Sequence, residues 1–204
     1  MYTALCIILG YLLGSIPFAL VIGKVFYKTD VRQHGSGNLG GSNTGRVLGS
    51  KAGAAVIILD ILKVVLAMWI ASHVSAAAAI WTGLACCVGH CFPIFAHFKG
   101  GKAVATSFGF LVGISAFVFR DPWFFAAPLI MFLVMLWLYK FVSVASIAAL
   151  LCSSLLITVL CLGTGMQGLM IIIASWLMSI LVIWRHWGNI QRVRTGTETS
   201  ITWL

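Results

Sequence analysis

Acidic side chains are almost missing from this chain: four Asp and Glu stand among 204 residues, against 13 Lys and Arg. Asp30, Asp60, Asp121 and Glu198 lie far apart, so chemistry that recruits a divalent metal through clustered carboxylates is set aside, nucleotide-activated transfer included. Charge of either sign is scarce, at 8% of residues against 61% hydrophobic. A soluble core has no use for so much apolar sequence, and the mean hydropathy of +1.08 lies outside the soluble range. Apolar and polar residues do not alternate, which argues against a β-barrel and for spanning helices. The six cysteines all fall in apolar runs and imply no disulfide framework. Cys86, Cys87, His90 and Cys91 have metal-like spacing, but free Cys in a helix behaves as a small apolar residue, so no metal is expected. No Lys or Arg precedes Lys24, so the first run lacks the basic start of a secretory signal and is expected to be a retained helix.

What is present is a series of continuous apolar runs, each near the length of about 20 residues that a helical span needs. They predict an all-α integral membrane bundle of about seven transmembrane helices, near 3–23, 52–71, 77–96, 103–119, 123–139, 143–162 and 167–184, in one domain covering 1–204. With the N-terminus outside and the C-terminus cytoplasmic, eleven Lys and Arg face the cytoplasm and Arg120 faces out, as the positive-inside rule requires. Most of the net charge of +9 follows from that topology and calls for no nucleic-acid partner. Ser15 and Pro17 are expected to kink the first helix, freeing backbone groups that neighbours must satisfy. Asp60 and Lys63, three apart in the second run, share a helical face and are expected to pair inside the bundle or to face a polar cavity.

Three polar stretches remain, 35–46, 97–102 and 186–198, and this topology puts all of them on the cytoplasmic face. Residues 35–46 are rich in glycine, serine and asparagine and end on Arg46, a composition that suits an anion-cradling loop better than a linker. In KGGK, Lys99 and Lys102 flank Gly100 and Gly101, where the backbone can turn its N–H groups toward a phosphate ahead of a helix N-terminus. The same short basic loop is also what topology alone produces. His186 and Asn189 lie one helical turn apart, and Glu198 has Arg192 or Arg194 as partner.

In order along the chain, SGNLGGSNTGR at 36–46, GHCFPIFAHFKGGKAVAT at 89–106 and HWGNIQRVRTGTE at 186–198 resemble the three signature segments of the bacterial acyl-phosphate:glycerol-3-phosphate acyltransferases. GSIPFALVIGK at 14–24 and DILK at 60–63 extend the likeness over nearly the whole chain. The resemblance implies a bacterial inner-membrane enzyme of phospholipid biosynthesis. It would move a fatty acyl group from acyl phosphate to the 1-hydroxyl of glycerol 3-phosphate and form lysophosphatidic acid. It implies no cofactor and no metal, and an acyl-phosphate synthase as metabolic supplier. Carried over residue by residue, Ser36, Asn38, Ser42, Asn43 and Arg46 would bind substrate, with Arg46 gripping the glycerol phosphate bidentately. Gly100, Gly101 and Lys102 would hold the acyl phosphate, and His186 and Asn189 would join Lys102 in catalysis. His186, His90, His34 and a substrate phosphate oxygen are all chemically able to take the hydroxyl proton. The chain departs from the family pattern at Gly41 and Ser42, where alanine and threonine are usual, and in the tail TSITWL, which lacks an expected basic residue.

Two other classes compete with that reading. A small-anion transporter or channel would line its path with Asp60 and Lys63, but it predicts internal repeats that the sequence does not contain. A scaffold for other lipid enzymes would have no need of Arg46, Lys102 or His186.

Overall fold

The computed structural model describes residues 1–201, and among them the chain is helical throughout, with ten α-helices and no strand. Thr202 to Leu204, the end of the TSITWL tail, lie outside the described residues. The first apolar run breaks where the sequence puts its proline. Helix α1 (Tyr2–Gly14) stops before Pro17, which has no N–H to continue the ladder, and α2 (Phe18–Phe26) restarts beyond it. Helices α3 (Gly41–Leu48), α4 (Ser50–Ser72) and α5 (Ala76–Cys91) follow. Then come α6 (Val104–Gly113), which runs on as a π turn over Ile114–Val118, and α7 (Trp123–Tyr139). The last three are α8 (Val142–Cys161), α9 (Met166–Arg185) and α10 (Trp187–Arg194).

Among the described residues five segments are long and apolar enough to cross a membrane: Tyr2–Phe26, Ser50–Ser72, Ala76–Ala96, Val142–Cys161 and Met166–Arg185. Val104–Val118 and Trp123–Tyr139 are apolar but shorter. At about 1.5 Å per residue they reach roughly 22 and 26 Å, less than the hydrocarbon core of about 30 Å. All seven expected runs are therefore helical, and five of them have the length of a span. Arg120 to Pro122 make the tight turn between the short pair, and the Asp121 carboxylate accepts the Trp123 N–H at 2.9 Å to start α7.

The expectation for residues 35–46 needs correction, because the second half of that stretch is helix α3 and not an open cradle. Its glycines serve packing: a Cβ on Gly53 of α4 would lie 2.7 Å from the Gly45 Cα, so only glycine lets α3 lie against α4.

Helix α5 is the centre of the bundle, with α1, α4, α6 and α9 packed around it. The core between these helices contains Val64, Met68, Ile80, Phe110 and Met178, all fully buried. Ile58, Leu133, Trp137, Leu155 and Ile180 point outward instead. That reverses the soluble pattern, as expected where the outer solvent is lipid. Polar groups have moved inside: the Ser154 and Ser179 hydroxyls meet at 2.8 Å and reach the carbonyls of Ser175 and Leu150, joining α8 to α9. Asp60 and Lys63 pair at 2.8 Å with about 3% of each side chain exposed, so they face the interior. The Lys63 ammonium also donates to the Ile16 carbonyl at 3.0 Å, beside the break that Pro17 imposes.

Candidate active site

A cleft of about 460 Å³ opens where the three polar stretches converge. The first contributes Ser36, Gly37 and Asn38, the second Phe98, Lys99, Gly100 and Lys102, and the third Gly188, Asn189 and Arg192, with Arg185 just ahead of it at the end of α9.

The wall formed by the first stretch is set by a buried amide. Asn43 on α3 accepts the Ser36 N–H at 2.8 Å and donates to the carbonyls of Val31 and His34 at 3.0 and 3.2 Å. Its polar atoms are thus engaged by the loop, which turns at Gly37 with a φ of 68°. One turn earlier, hydrogen bonds from Arg32 hold the Asp30 carboxyl well below the usual carboxylate range and pin the start of the loop.

Of the glycine pair, Gly101 has a different job from the one its sequence suggests. The Gly101 N–H donates to the His90 carbonyl at 3.0 Å and so is not turned toward an anion in the cleft. Side chains at Gly100 and Gly101 would collide with the His90 carbonyl and the His90 ring respectively, so the pair is demanded by close approach to α5. From the other side Arg185 donates from Nε to the Gly101 carbonyl and from Nη2 to the Gly100 carbonyl, both at 3.0 Å. Its guanidinium lies 5.6 Å from the centre of the Phe92 ring. His97, Phe98 and Ala103, with φ of 54°, 59° and 60°, hold the turn in left-handed backbone that L side chains seldom adopt. Helix α6 starts only at Val104, after Lys102 has left the turn.

The third stretch holds the cations in place. Lys102 donates to the Asn189 side-chain oxygen, and the Asn189 amide donates to Glu198 at 2.6 Å. Glu198 also accepts from Ser143 at 3.1 Å and from Arg192 at 2.8 Å. Burial pushes the Glu198 carboxyl upward, but the hydrogen bonds from Asn189, Arg192 and Ser143 outweigh it and keep its pKa below the ordinary value. Burial first, and then the charges of Arg192, Arg185 and Arg46 against the opposing pull of Glu198, lower Lys102 to about 8. His186, at the junction of α9 and α10, is buried with Nδ1 2.8 Å from the Val182 carbonyl. Nδ1 therefore carries the proton, Nε2 is the acceptor, and burial lowers the pKa to about 4.

Ser36, Asn38, Gly100, Lys102 and Asn189 thus line the cleft together. Gly101 lies beneath it, Asn43 behind the first loop and His186 behind the third. Ser42 and Arg46 are exposed on α3 outside the lining, though the Arg46 charge is felt at Lys102. His34 is exposed and outside the lining, and the His90 ring is engaged by Lys63. Arg185 and Arg192 were not among the expected site residues. Their signal was helical spacing: 185, 188, 189 and 192 repeat at three to four residues and share a face. Around the cleft four cations, Lys99, Lys102, Arg185 and Arg192, face one carboxylate, Glu198. Such a surplus suits a phosphate dianion.

Residues 4–196 match the family model described as glycerol-3-phosphate acyltransferase. The chain belongs to the glycerol-3-phosphate acyltransferase family. It is 45% identical over 201 residues to the family member of Listeria welshimeri, covering 97% of this chain and 96% of the relative. Identity to the member of Geobacillus kaustophilus is 43% over 202 residues, with 98% and 97% covered. The fold is similar to the crystal structure of PlsY, an integral membrane glycerol 3-phosphate acyltransferase, in its glycerol 3-phosphate form. The TM-score is 0.89 at 34% identity, with 99% of this chain and 96% of that chain covered. The lysophosphatidic acid form of PlsY gives a TM-score of 0.86. The family read from the three motif segments is therefore the family that the whole chain matches.

Proposed function

We propose that this member of the family transfers a fatty acyl group from acyl phosphate to the 1-hydroxyl of glycerol 3-phosphate, forming lysophosphatidic acid. The observation that carries the reading is the cleft that all three motif segments line, with Lys99, Lys102, Arg185 and Arg192 as surplus cations around space for phosphate groups. Gly100 and Lys102 hold the acyl phosphate, and Ser36, Asn38 and Arg46 hold glycerol 3-phosphate, with Arg46 closing from α3. The hydroxyl oxygen attacks the acyl carbonyl, the C–O bond to phosphate breaks, and Lys102 and Arg185 stabilise the charge gathering on the departing phosphate. A mixed anhydride already has a good leaving group, so positioning and charge stabilisation suffice without a covalent intermediate.

A substrate phosphate oxygen takes the hydroxyl proton. A phosphate monoester with a second pKa of about 6 is a stronger base than His186, held near 4. His90 is occupied by Lys63 and His34 lies outside the cleft. The transfer is metal-independent, since Glu198, the carboxylate of the third stretch, is already bound by Asn189, Arg192 and Ser143. The clustering of Lys and Arg supports a cytoplasmic cleft at the inner membrane, supplied by an enzyme that makes acyl phosphate. The transporter reading has less support, because Asp60 and Lys63 pair with each other instead of lining an open path.

The test is acyl transfer by purified protein in detergent, from palmitoyl phosphate to labelled glycerol 3-phosphate, with and without EDTA. Lysophosphatidic acid formed equally in both supports the reading. Loss of product on chelation removes the metal-independent mechanism, and no product from acyl phosphate under either condition removes the reaction.

A further inference from the structure

Beneath the cleft lies a charged cluster that touches no substrate space. Lys63 Nζ reaches Asp60 Oδ1 at 2.8 Å, the Ile16 carbonyl at 3.0 Å and His90 Nδ1 at 3.2 Å, and sits 5.6 Å from the centre of the Phe18 ring. His90 Nδ1 lies 3.5 Å from the same Asp60 oxygen. One ammonium therefore joins three parts of the fold: its own helix α4, the α1–α2 break and α5. With an ammonium donating to Nδ1, the His90 proton is on Nε2. That nitrogen lies directly under Gly101, where a Cβ would strike it. The His90 carbonyl accepts the Gly101 N–H at 3.0 Å. The contacts run without interruption from Lys63 to His90 to the glycine turn.

We infer that Lys63 is a positioning residue for the glycine turn: held by Asp60 and the Ile16 carbonyl, it fixes His90, and His90 sets the height and tilt of Gly100 and Gly101 on the cleft floor. Paired charges inside a bundle are costly to bury and add little net stability over apolar packing. A pair that only locked helices together could be exchanged for a neutral pair without a kinetic effect. A pair that aims a binding turn could not, since displacements of about 1 Å in a site cost as much as 10²-fold in rate. The inference rests on the proposed reaction, in which the glycine turn holds acyl phosphate while Ser36, Asn38 and Arg46 hold glycerol 3-phosphate. Its kinetic mark is therefore asymmetric.

The experiment replaces the charged pair by a neutral one, Asp60→Asn with Lys63→Gln, and measures both Michaelis constants and the thermal midpoint in detergent. The expected result is a rise of about tenfold or more in KM for palmitoyl phosphate, with KM for glycerol 3-phosphate within about twofold. Gly101→Ala perturbs the same contact from the loop side and is expected to give the same split. In the neutral-pair background it should cost less than in the wild type, because the contact is already lost. Unchanged constants in the double variant, or an equal rise in both, overturns the inference in favour of packing alone. If the double variant does not fold, Gly101→Ala decides: an unchanged KM for palmitoyl phosphate overturns the proposal as well. An inactive wild type would remove the proposed reaction, whereas an active wild type without the split removes only the role of Lys63.

Discussion

Two lysines of this fold, Lys63 and Lys102, are treated in opposite ways. Lys63 is sealed in the bundle with its carboxylate at 2.8 Å and with the Ile16 carbonyl and the His90 ring as further partners. Lys102 stands at the edge of the cleft, tied through Asn189 to Glu198 and surrounded by Arg46, Arg185 and Arg192. Charge is balanced around the first and in surplus around the second. A balanced cluster has no demand left for a ligand and serves as framework, whereas a surplus held in place by neighbours is incomplete until an anion arrives.

The sharpest way to break this contrast is to remove the surplus. Lys102→Ala is expected to lower kcat/KM for acyl transfer by on the order of 10² to 10³, the usual consequence of losing one stabiliser of transition-state charge, with an unchanged thermal midpoint. A still-folded variant of wild-type activity would show that Lys102 only satisfies topology. A smaller loss, roughly tenfold, is expected for Glu198→Gln, which keeps the shape but weakens the grip on Asn189 and Arg192. Its mark should be a lower kcat for every acyl donor tested.

A pH profile reads the environment of Lys102. Burial first, and then the neighbouring cations, lower Lys102 to about 8, so the free enzyme loses that ammonium as pH rises through this value, not through 10.5. With the charged form active, kcat/KM should fall by about tenfold per pH unit above that point. Lys102→Arg, which stays protonated, should lose the alkaline limb whatever its absolute rate. A limb that persists in Lys102→Arg belongs to another group.

The same contrast explains what was legible in the sequence. Apolar length located every long helix, and α7 occupies 123–139 as read, because lipid demands continuous hydrophobicity and little else. Pro17 announced its own break, and DILK its own ion pair. The site was legible as a set of segments but not as a set of contacts. Glycine in 35–46 has two physical uses, turning a chain and letting helices touch. Only the packing of Gly45 against Gly53 shows that the second half of the stretch uses the latter. His186 was expected at the chemistry from the family resemblance and its spacing from Asn189, and its Nδ1 is taken up by the Val182 carbonyl of its own helix. Arg185 looked like a topology charge at the end of an apolar run, because nothing local in sequence reveals that two glycine carbonyls lie within its reach.

A third kind of polar group sharpens the comparison by having the smallest effect. Ser154 and Ser179 meet at 2.8 Å between α8 and α9, fully buried, uncharged and apart from the cleft. Hydrogen bonds of this kind between membrane helices contribute about 0.6 kcal/mol on average, since the separated helices also find partners. Ser179→Ala should therefore lower the thermal midpoint slightly and leave both Michaelis constants unchanged. That pattern is the opposite of the one expected for the neutralised Asp60 and Lys63 pair. A change in KM on Ser179→Ala would mean that the bundle transmits any small repacking to the cleft, and the asymmetry assigned to Lys63 would lose its meaning. An unchanged KM leaves the glycine turn answering to the residues in contact with it.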